Sequence, residues 1–355
     1  MPSGPVEFTL ELTPRARIDV IDVRRLIASN YGDALDAYPR ALCCSFHTTA
    51  GYLDRGVAAR LKNQSDVMPY IDVFRTMFPE GAGYEHDKLD RRTELTDEQR
   101  PREPLNADSH LAFMAGALRT CVSYPNRRDE PIAFVDLDGV HQGHVRRRRT
   151  TVLGYSGEDT VAQTRIVVPV SSHSVDSVNL KDPNLGVYET CSELVMKHGV
   201  SKGRIRLTLA PGEHHAGLTV NEYETLLMRH DLREVLRDPL RFMAEKAGHI
   251  LGNPRAIPAK TLDYAKYDLV RVFNKLVDTL GLRESMVESV LSQAIAMPAA
   301  RFLRMKRSVS LLVSDRAEPG RGAIIEGTYQ SPILVQWHRG AAASRVLDVT
   351  LTRFV

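Results

Sequence analysis

Two histidine-bearing stretches of this 355-residue chain contain residue types that can do chemistry. The first is SFHTTAGYLD at 45–54, which carries His47, and the second is GEHHAGLTVNE at 212–222, which carries His214 and His215. A neutral imidazole ligates divalent ions such as zinc, whereas a protonated one grips a phosphate or acts as a general acid. The residue types do not separate these roles, so both chemistries stay open.

The segments around the two stretches occur in the same order, which indicates an internal repeat. In the first half, the strand-like 6–12 precedes the apolar strand and histidine motif of 39–54. In the second half, the strand-like 164–180 precedes a helical pattern and the strand of 203–220. Alternating apolar residues predict the strands, and apolar residues three or four apart predict the helices.

The length of the repeat indicates a duplicated domain. Aligning Ala50 with Ala216 aligns the preceding strands and the helical segments that follow them. A solenoid would instead show repeats of about 20–50 residues. The polar, turn-forming YSGEDT at 155–160 marks the boundary, so we predict a first domain at 1–157 and a second at 158–355.

The composition excludes several classes of protein. A hydrophobic content of 43% with 26% charged residues is typical of a soluble globular protein. No apolar run approaches the roughly 18 residues of a membrane span, and the first twenty residues lack the basic and apolar regions of a signal peptide. We therefore expect a cytoplasmic protein without a membrane partner. The net charge of +3 is nearly balanced, and only 145–154 is strongly basic, so we expect no nucleic-acid partner.

The cysteines show no pattern of a metal or redox motif. None of them has CxxC spacing, so the sequence suggests neither a zinc knuckle nor a redox pair. In a cytoplasmic protein we expect buried free thiols. The residues are Cys43, Cys44, Cys121 and Cys191.

Several short motifs, taken in order, resemble the YjbQ-like proteins, a family of secondary thiamine-phosphate synthases. Four lie in the first half: HTTAG at 47–51, GYEHD at 83–87, NADSH at 106–110 and FVDLDG at 134–139. Three more resemble blocks of the same family in the second half: LTVNE at 218–222, AMPAARF at 296–302 and EGTYQSPILVQW at 326–337. Family members are about as long as one half of this chain, so the resemblance implies a tandem duplication with divergent halves.

The repeat and the resemblance together predict the fold class. We expect two tandem α+β domains, each with a mixed or antiparallel sheet covered by helices. The second domain has an insertion at about 240–296 whose apolar residues recur at three- and four-residue spacing. This spacing predicts a helical insertion.

The two halves retain different parts of the family's signature. The first keeps three histidines and an acidic pair but has Arg55 and Gly56 where the family has Asn-Glu, whereas the second keeps Asn-Glu and a Gly-Thr-Tyr-Gln block. Complementary loss favours one composite site shared between the halves. By this resemblance the candidate catalytic residues are His47, Glu85, His86, Asp87, His110, Asp138, Asn221, Glu222 and Gln330.

Three histidines are the candidate metal ligands: His47, His86 and His110 could converge on one zinc or magnesium ion, or on one phosphate. Asp136 and Asp138 are two apart on a predicted strand and would face the same side, which suits a metal or an arginine pair.

The Asn-Glu pair of the second half has two interpretations. Glu222 could act as a general base or metal ligand, and Asn221 could orient it or donate to a substrate oxygen. The alternative is that Asn221 caps a helix that begins at NEYETLLMRH, where acidic residues suit the first turn.

The resemblance implies small phosphorylated substrates. We therefore expect a small-molecule enzyme, a transferase, lyase or hydrolase of a phosphorylated or otherwise anionic metabolite, and the divergence of the motifs favours specialised metabolism. No motif for a nucleotide cofactor is present. The family's three-fold rings imply a homo-oligomer, with a trimer favoured. The alternative is a non-catalytic small-molecule-binding or scaffold protein derived from a duplicated enzyme.

Overall fold

The computed structural model describes residues 4–61, 64–141, 143–250, 303, 305–339 and 342–355. Its contacts define two compact units. The β unit consists of Met1–Arg55, Leu118–Tyr223 and Lys306–Val355, and the helical unit consists of Gly56–Ala117 and Glu224–Met305. Each unit therefore takes residues from both halves of the sequence. The division of the sequence at 157/158 stays a prediction.

The first part of the β unit, here called the first repeat, contains two antiparallel sheets. One has the strand order β1-β10-β3-β6, and the other has the order β2-β7-β4-β5. Strands β8 and β9 form a separate ribbon. The strands are β1 (Val6–Leu12), β2 (Asp19–Asp22), β3 (Arg40–Ser45), β4 (Ala50–Leu53), β5 (Leu118–Arg119), β6 (Cys121–Pro125), β7 (Ala133–Asp136), β8 (Val140–His141), β9 (His144–Val145) and β10 (Arg148–Tyr155).

The second part of the β unit, the second repeat, has the same arrangement. Its sheets have the orders β11-β18-β13-β15-β16 and β12-β17-β14, and all the pairs are antiparallel. The strands are β11 (Glu158–Pro169), β12 (Asp176–Asn179), β13 (Gly203–Leu209), β14 (Ala216–Asn221), β15 (Ser308–Ser314), β16 (Ala323–Ile325), β17 (Ser331–Gln336) and β18 (Ser344–Phe354).

The strand order of the first repeat recurs in the second. Strands β1, β10, β3 and β6 match β11, β18, β13 and β15, and β2, β7 and β4 match β12, β17 and β14. The register agrees, since Ala50 pairs with Asp136 and Ala216 pairs with Gln336. Ala50 and Ala216 therefore hold equivalent positions. This recurrence within one chain is the structural evidence for a duplication.

Each repeat has its own apolar core, to which both of its sheets and one helix contribute. In the first, alternate residues of β1 pack against Val23 and Ile27 of α1 (Val23–Tyr31). In the second, α5 (Val187–Lys197) buries Val187, Cys191 and Val195 at four-residue intervals. Side chains four apart lie on one face of a helix, so each helix covers its sheet with a single apolar stripe.

A third apolar cluster joins the two repeats within the β unit. Tyr155 of the first repeat stacks on Phe354 of the second, with ring centroids 4.0 Å apart and planes tilted by 13°. Nearby, the backbone of Gly327 lies against Phe46, where a Cβ would be 2.0 Å from the Phe46 carbonyl oxygen. The cluster comprises Leu42, Cys44, Phe46, Leu153, Tyr155, Leu312 and Phe354.

The helical unit has segments from both halves of the sequence. Its helices within the described residues are α3 (Gln64–Met77), α4 (Ala107–Ala115), α6 (Leu232–Arg237) and α7 (Pro239–Ile250), and α2 (Arg55–Ala58) precedes them. A π-helical turn covers Leu227–Asp231. Short 3₁₀ turns cover Gly32–Ala37, Leu89–Arg91, Arg100–Arg102 and Pro183–Leu185 in the two units.

The antiparallel sheets with helices confirm the predicted α+β class. Of the predicted helical insertion at 240–296, residues 240–250 lie in α7, and 251–296 lie outside the described residues. No helix within the described residues is both long and apolar enough to cross a membrane.

The junction between the repeats predicts the effect of one methyl group. In Gly327→Ala the new Cβ overlaps the Phe46 carbonyl oxygen, so we expect a loss of about 1–3 kcal/mol in the free energy of unfolding, measured with urea. Gly212→Ala is the control, because a Cβ at Gly212 meets no atom within 4 Å. Equal unfolding midpoints for the two variants would contradict the close approach of the repeats.

Candidate functional site

Two of the predicted histidines lie side by side in the helical unit. His110 lies on α4, every residue of which is buried, and His86 lies in the loop before it. Both side chains have no exposed surface. Their ring centroids are 5.1 Å apart with planes tilted by 55°, and one ring nitrogen of each lies within 4.8 Å of the other.

Asp87 fixes the orientation of His86. Its Oδ1 lies 3.0 Å from His86 Nδ1 and also accepts a hydrogen bond of 3.1 Å from the backbone N–H of Ala107 at the start of α4. Because a carboxylate only accepts, Nδ1 carries a proton, and in the neutral imidazole Nε2 then carries the lone pair. Within the described residues, the buried Nε2 of His86 has no hydrogen-bond partner. A carboxylate behind an imidazole is a typical second partner of a metal-binding histidine.

A buried acid that the sequence did not single out holds the His86 loop. Asp231, at the end of the π-helical turn, accepts hydrogen bonds of 2.9 Å from the backbone N–H of His86 and 3.1 Å from that of Glu85. Burial raises the pKa of this carboxyl, while the two N–H groups and Lys246 oppose the shift. Asp231 is fully buried. Its role is to fix backbone, a role that no residue spacing in the sequence indicates.

Lys246 on α7 holds the same loop from its other end. Its Nζ donates to the carbonyl oxygen of Gly83 at 3.0 Å and lies 4.0 Å from Asp231. The ammonium also lies over the ring of Tyr84, 4.9 Å from the centroid. Residues of the second half of the sequence therefore position the His86 loop of the first half.

Glu85, a predicted catalytic residue, forms ion pairs with Lys88 and Arg91. Partial burial raises the pKa of its carboxyl, but the two cations outweigh that effect and lower it overall. The structure thus gives Glu85 a charge-pairing role, and its catalytic role stays a prediction.

His47, in the β unit, serves as a hydrogen-bond acceptor for the backbone. Its Nε2 accepts from the backbone N–H of Arg149 at 2.8 Å. Burial, together with Arg148, Arg146 and Arg149, lowers the pKa of His47 to about 3, so the imidazole is neutral at pH 7 with its proton on Nδ1. Ligation of a metal through Nδ1 would move that proton to Nε2 and break this bond.

The matching position of the second repeat has the same role. Glu213, which aligns with His47, accepts from the backbone N–H of Val346 at 2.8 Å. A histidine in the first repeat and a glutamate in the second therefore provide the hydrogen-bond acceptor at equivalent ends of the two sheets. His47 lies in the β unit, whereas His86 and His110 lie in the helical unit. That the three histidines ligate one metal ion stays a prediction.

The acidic pair of the first repeat binds arginines. Arg148 donates to both oxygens of Asp136, at 2.7 and 2.8 Å, and Arg146 pairs with Asp138. Both carboxylates are fully buried. Strand β7 ends at Asp136, so the predicted strand alternation does not extend to Asp138. Of the two interpretations, metal or arginine pair, the structure shows the arginine pair.

The second repeat repeats this arrangement with a neutral partner. Arg345 lies 3.4 Å from Gln336 Oε1 through two of its nitrogens and donates to the carbonyl oxygen of His338 at 2.7 Å. Gln336 thus replaces Asp136. The guanidinium gains its negative partner from Glu213, at 3.0 Å.

The structure brings the Asn-Glu pair of the second repeat to the histidine stretch of the first. Thr48 Oγ1 donates to Glu222 Oε1 at 2.8 Å within the β unit. Asn221 is fully buried at the end of β14, and its Oδ1 accepts from the N–H of Glu222. The capping alternative for Asn221 is wrong, because the next helical turn begins only at Leu226.

Gln330 ties the two repeats together. Its Nε2 donates to the carbonyl oxygens of Ser45 and His47, both at 2.9 Å, and its Oε1 accepts from Gly327 at 2.9 Å. These three hydrogen bonds occupy the side-chain amide of Gln330, which is a candidate catalytic residue by the resemblance. The catalytic roles of Asn221, Glu222 and Gln330 stay predictions.

No protein-family model matches the chain, and no curated protein matches it in sequence. A YbjQ-like protein of unknown function from Sulfolobus solfataricus P2 is 16% identical over 56% of this chain and 99% of its own, with a TM-score of 0.30. An uncharacterized conserved protein of the yjbq/upf0047 family from Clostridium acetobutylicum is 14% identical over 55% and 100%, with a TM-score of 0.24.

A hypothetical protein from Aeropyrum pernix K1 is 15% identical over 54% of this chain and 98% of its own, with a TM-score of 0.27. Each of these structures corresponds to about half of the present chain.

The buried Arg148–Asp136 pair predicts a strong coupling in stability. Asp136→Asn leaves the buried guanidinium without its charge partner, and we expect a loss of about 3–5 kcal/mol in the free energy of unfolding. Combining it with Arg148→Met should cost clearly less than the sum of the two single variants. Glu130→Gln, which removes an exposed pair with Arg127, should leave the urea midpoint nearly unchanged. Additive single and double variants would contradict the pairing.

The lowered pKa of His47 predicts a pH dependence of stability. The unfolded chain binds a proton near the ordinary pKa of 6.5, whereas the folded chain does so only near pH 3, so this stability is complete above about 6.5 and is lost as the pH falls. His47→Gln keeps an acceptor, as Glu213 does, but removes the titration. Urea midpoints between pH 6.5 and 5 should therefore fall less steeply in His47→Gln than in the wild type.

The control for that measurement is His144→Gln, which removes an exposed histidine of the same repeat. Its midpoints should follow those of the wild type across the same pH range. If His47→Gln also followed the wild type, His47 would not be held neutral in the folded protein.

Proposed function

We propose that the protein is a small-molecule enzyme that uses a histidine centre built on His86 and His110, and that this centre holds a divalent metal ion. The observation that carries the proposal is the pair of fully buried imidazoles with ring centroids 5.1 Å apart, one of them oriented by a carboxylate. Burying an imidazole costs free energy unless its nitrogens are hydrogen-bonded or ligated. Apolar packing alone gives no reason to bury two imidazoles side by side.

The donor set suits zinc better than magnesium. Zinc binds imidazole nitrogen at about 2.0–2.1 Å in tetrahedral geometry, which places the centroids of two ligating rings about 5 Å apart. Magnesium prefers an octahedron of oxygen ligands. The spacing of His86 and His110 supports the nitrogen-binding ion, with Nε2 of His86 as the ligand atom.

The chain's own residues would divide the work of such a centre. Asp87 keeps the proton of His86 on Nδ1, and Asp231 holds the backbone of the loop. A bound zinc ion supplies Lewis acidity, which activates water or stabilises charge on a phosphoryl oxygen.

The class of substrate rests on the resemblance to thiamine-phosphate synthases. A transferase or lyase of a phosphorylated or otherwise anionic metabolite fits a centre that stabilises developing negative charge. A screen of phosphorylated metabolites that follows the release of phosphate or pyrophosphate tests the substrate class.

Metal binding is the direct test of the centre. After treatment with a chelator, the protein should bind one zinc ion per chain in isothermal titration calorimetry. His86→Ala and His110→Ala should abolish this binding, and Asp87→Asn should weaken it by about 10- to 100-fold, because it removes the charge behind the ligand. His173→Ala, an exposed histidine of the β unit, is the matched control and should bind as the wild type does.

Folding of the variants is checked by circular dichroism and thermal melting. If folded His86→Ala and His110→Ala bound zinc as tightly as the wild type, the proposed centre would be wrong. Loss of turnover in Glu222→Gln at an unchanged melting temperature would support its role as a base.

A further inference from the structure

Two cysteines that are far apart in the sequence lie opposite each other in the β unit. Cys44 on β3 pairs with Cys121 on β6 in the antiparallel register, although 77 residues separate them. Their Sγ atoms are 3.1 Å apart. The sulfurs need to approach by only about 1 Å to reach the disulfide bond length of about 2.05 Å.

The position of the pair within the ladder favours a bond. The neighbouring residues Ser45 and Thr120 are hydrogen-bonded, with Ser45 N donating to Thr120 O at 2.7 Å. In an antiparallel ladder, hydrogen-bonded and non-hydrogen-bonded pairs alternate, so Cys44 and Cys121 form a non-hydrogen-bonded pair. Side chains come closest at such positions. No movement of the strands past each other is needed to join the sulfurs.

The surroundings allow one specific pairing. Cys44 is buried in the cluster between the repeats, and Cys121 is half-buried. Both line a small cavity with Phe46, Leu312 and Gln330, and Cys121 is the less buried of the two thiols.

The other two cysteines occupy separate cores. Cys43 faces the core of the first repeat, and Cys191 lies on α5 in the core of the second. Burial raises the pKa of Cys43, of Cys44 and of Cys191, the last to about 12, so the Cys44–Cys121 pair is distinguished by its sulfur–sulfur contact. Cys43 and Cys191 serve as internal controls.

We infer that Cys44 and Cys121 form a modification site, a thiol pair that a peroxide converts into a cross-strand disulfide. The thiolate of Cys121 attacks one peroxide oxygen, forming a sulfenic acid, and the other oxygen leaves as water after protonation. The sulfur of Cys44 then attacks the sulfenic sulfur, the S–S bond forms, and the sulfenic hydroxyl leaves as a second water with the Cys44 proton. The two thiols lose two electrons and two hydrogens, and the peroxide is reduced to water.

A Cys44–Cys121 disulfide would fix the end of β3, which leads to the candidate residue His47 and contacts the candidate residue Gln330. Cys44 lies next to Ser45, the last residue of β3, and His47 follows two residues later. The backbone carbonyl oxygens of Ser45 and His47 both accept hydrogen bonds from Gln330. Oxidation would therefore tie the first-repeat stretch that contacts Glu222 to the edge strand β6. Sequence spacing alone indicated no redox pair, because neither cysteine has a CxxC neighbour.

In the experiment, the reduced, folded wild-type protein is treated with hydrogen peroxide and the remaining thiols are blocked in denaturant. The protein is then digested with trypsin without reduction, and the peptides are mapped by mass spectrometry. The expected product is a single cross-linked peptide pair, two hydrogen atoms lighter than its parts, that joins residues 41–55 to residues 120–127. Cys43→Ser and Cys191→Ser should retain it, whereas Cys44→Ser and Cys121→Ser should lose it. The oxidised wild type should also unfold at a higher urea concentration than the reduced protein.

Because the peptide 41–55 carries both Cys43 and Cys44, fragmentation between these two residues assigns the bond in the wild-type digest, which decides the inference even if a serine variant fails to fold. Over-oxidation of Cys121 to a sulfinic acid without a cross-link would overturn it, as would a cross-link that persists in Cys44→Ser. A cross-link formed only after denaturation would show that the folded geometry does not bring the sulfurs together.

Discussion

The buried guanidinium of Arg148 is the interaction on which the arrangement of the first repeat depends. It binds both oxygens of Asp136 and the carbonyl oxygen of Asp138, so it joins the start of β10 to the end of β7. The next residue, Arg149, donates its backbone N–H to His47. A charge that is almost fully buried must be paired, and this requirement fixes the strand ends where the β-unit candidates lie.

The duplication shows which of these contacts the fold requires. Arg345 is retained in the second repeat, while the Asp136 carboxylate is replaced by the Gln336 amide and the negative charge comes from Glu213. Likewise Glu213 replaces His47 as the acceptor of a strand N–H. A position that tolerates such a change, provided that one hydrogen bond survives, has a structural role in both copies. Catalytic chemistry at His47 would be an addition to that role.

The helical unit follows a different principle. Its histidine centre depends on carboxylates that bind backbone rather than on a buried arginine. Asp87 joins the His86 imidazole to the first turn of α4, and Asp231 binds two successive N–H groups of the His86 loop. Since these N–H groups are buried, the carboxylates satisfy them and hold the ring in one orientation. The second half of the sequence supplies Asp231 and Lys246, which position the His86 loop of the first half.

The sequence by itself determined the repeat, the α+β class and the identity of the histidine motifs, because apolar alternation and short motifs are local properties of the chain. The alignment of Ala50 with Ala216 needed no coordinates, and the pair register places the two residues equivalently. The tertiary structure decided the partners. Asp231 lies 145 residues from His86, and Cys121 lies 77 residues from Cys44. Such contacts depend on strand register and on the path of the chain, which residue types do not encode locally.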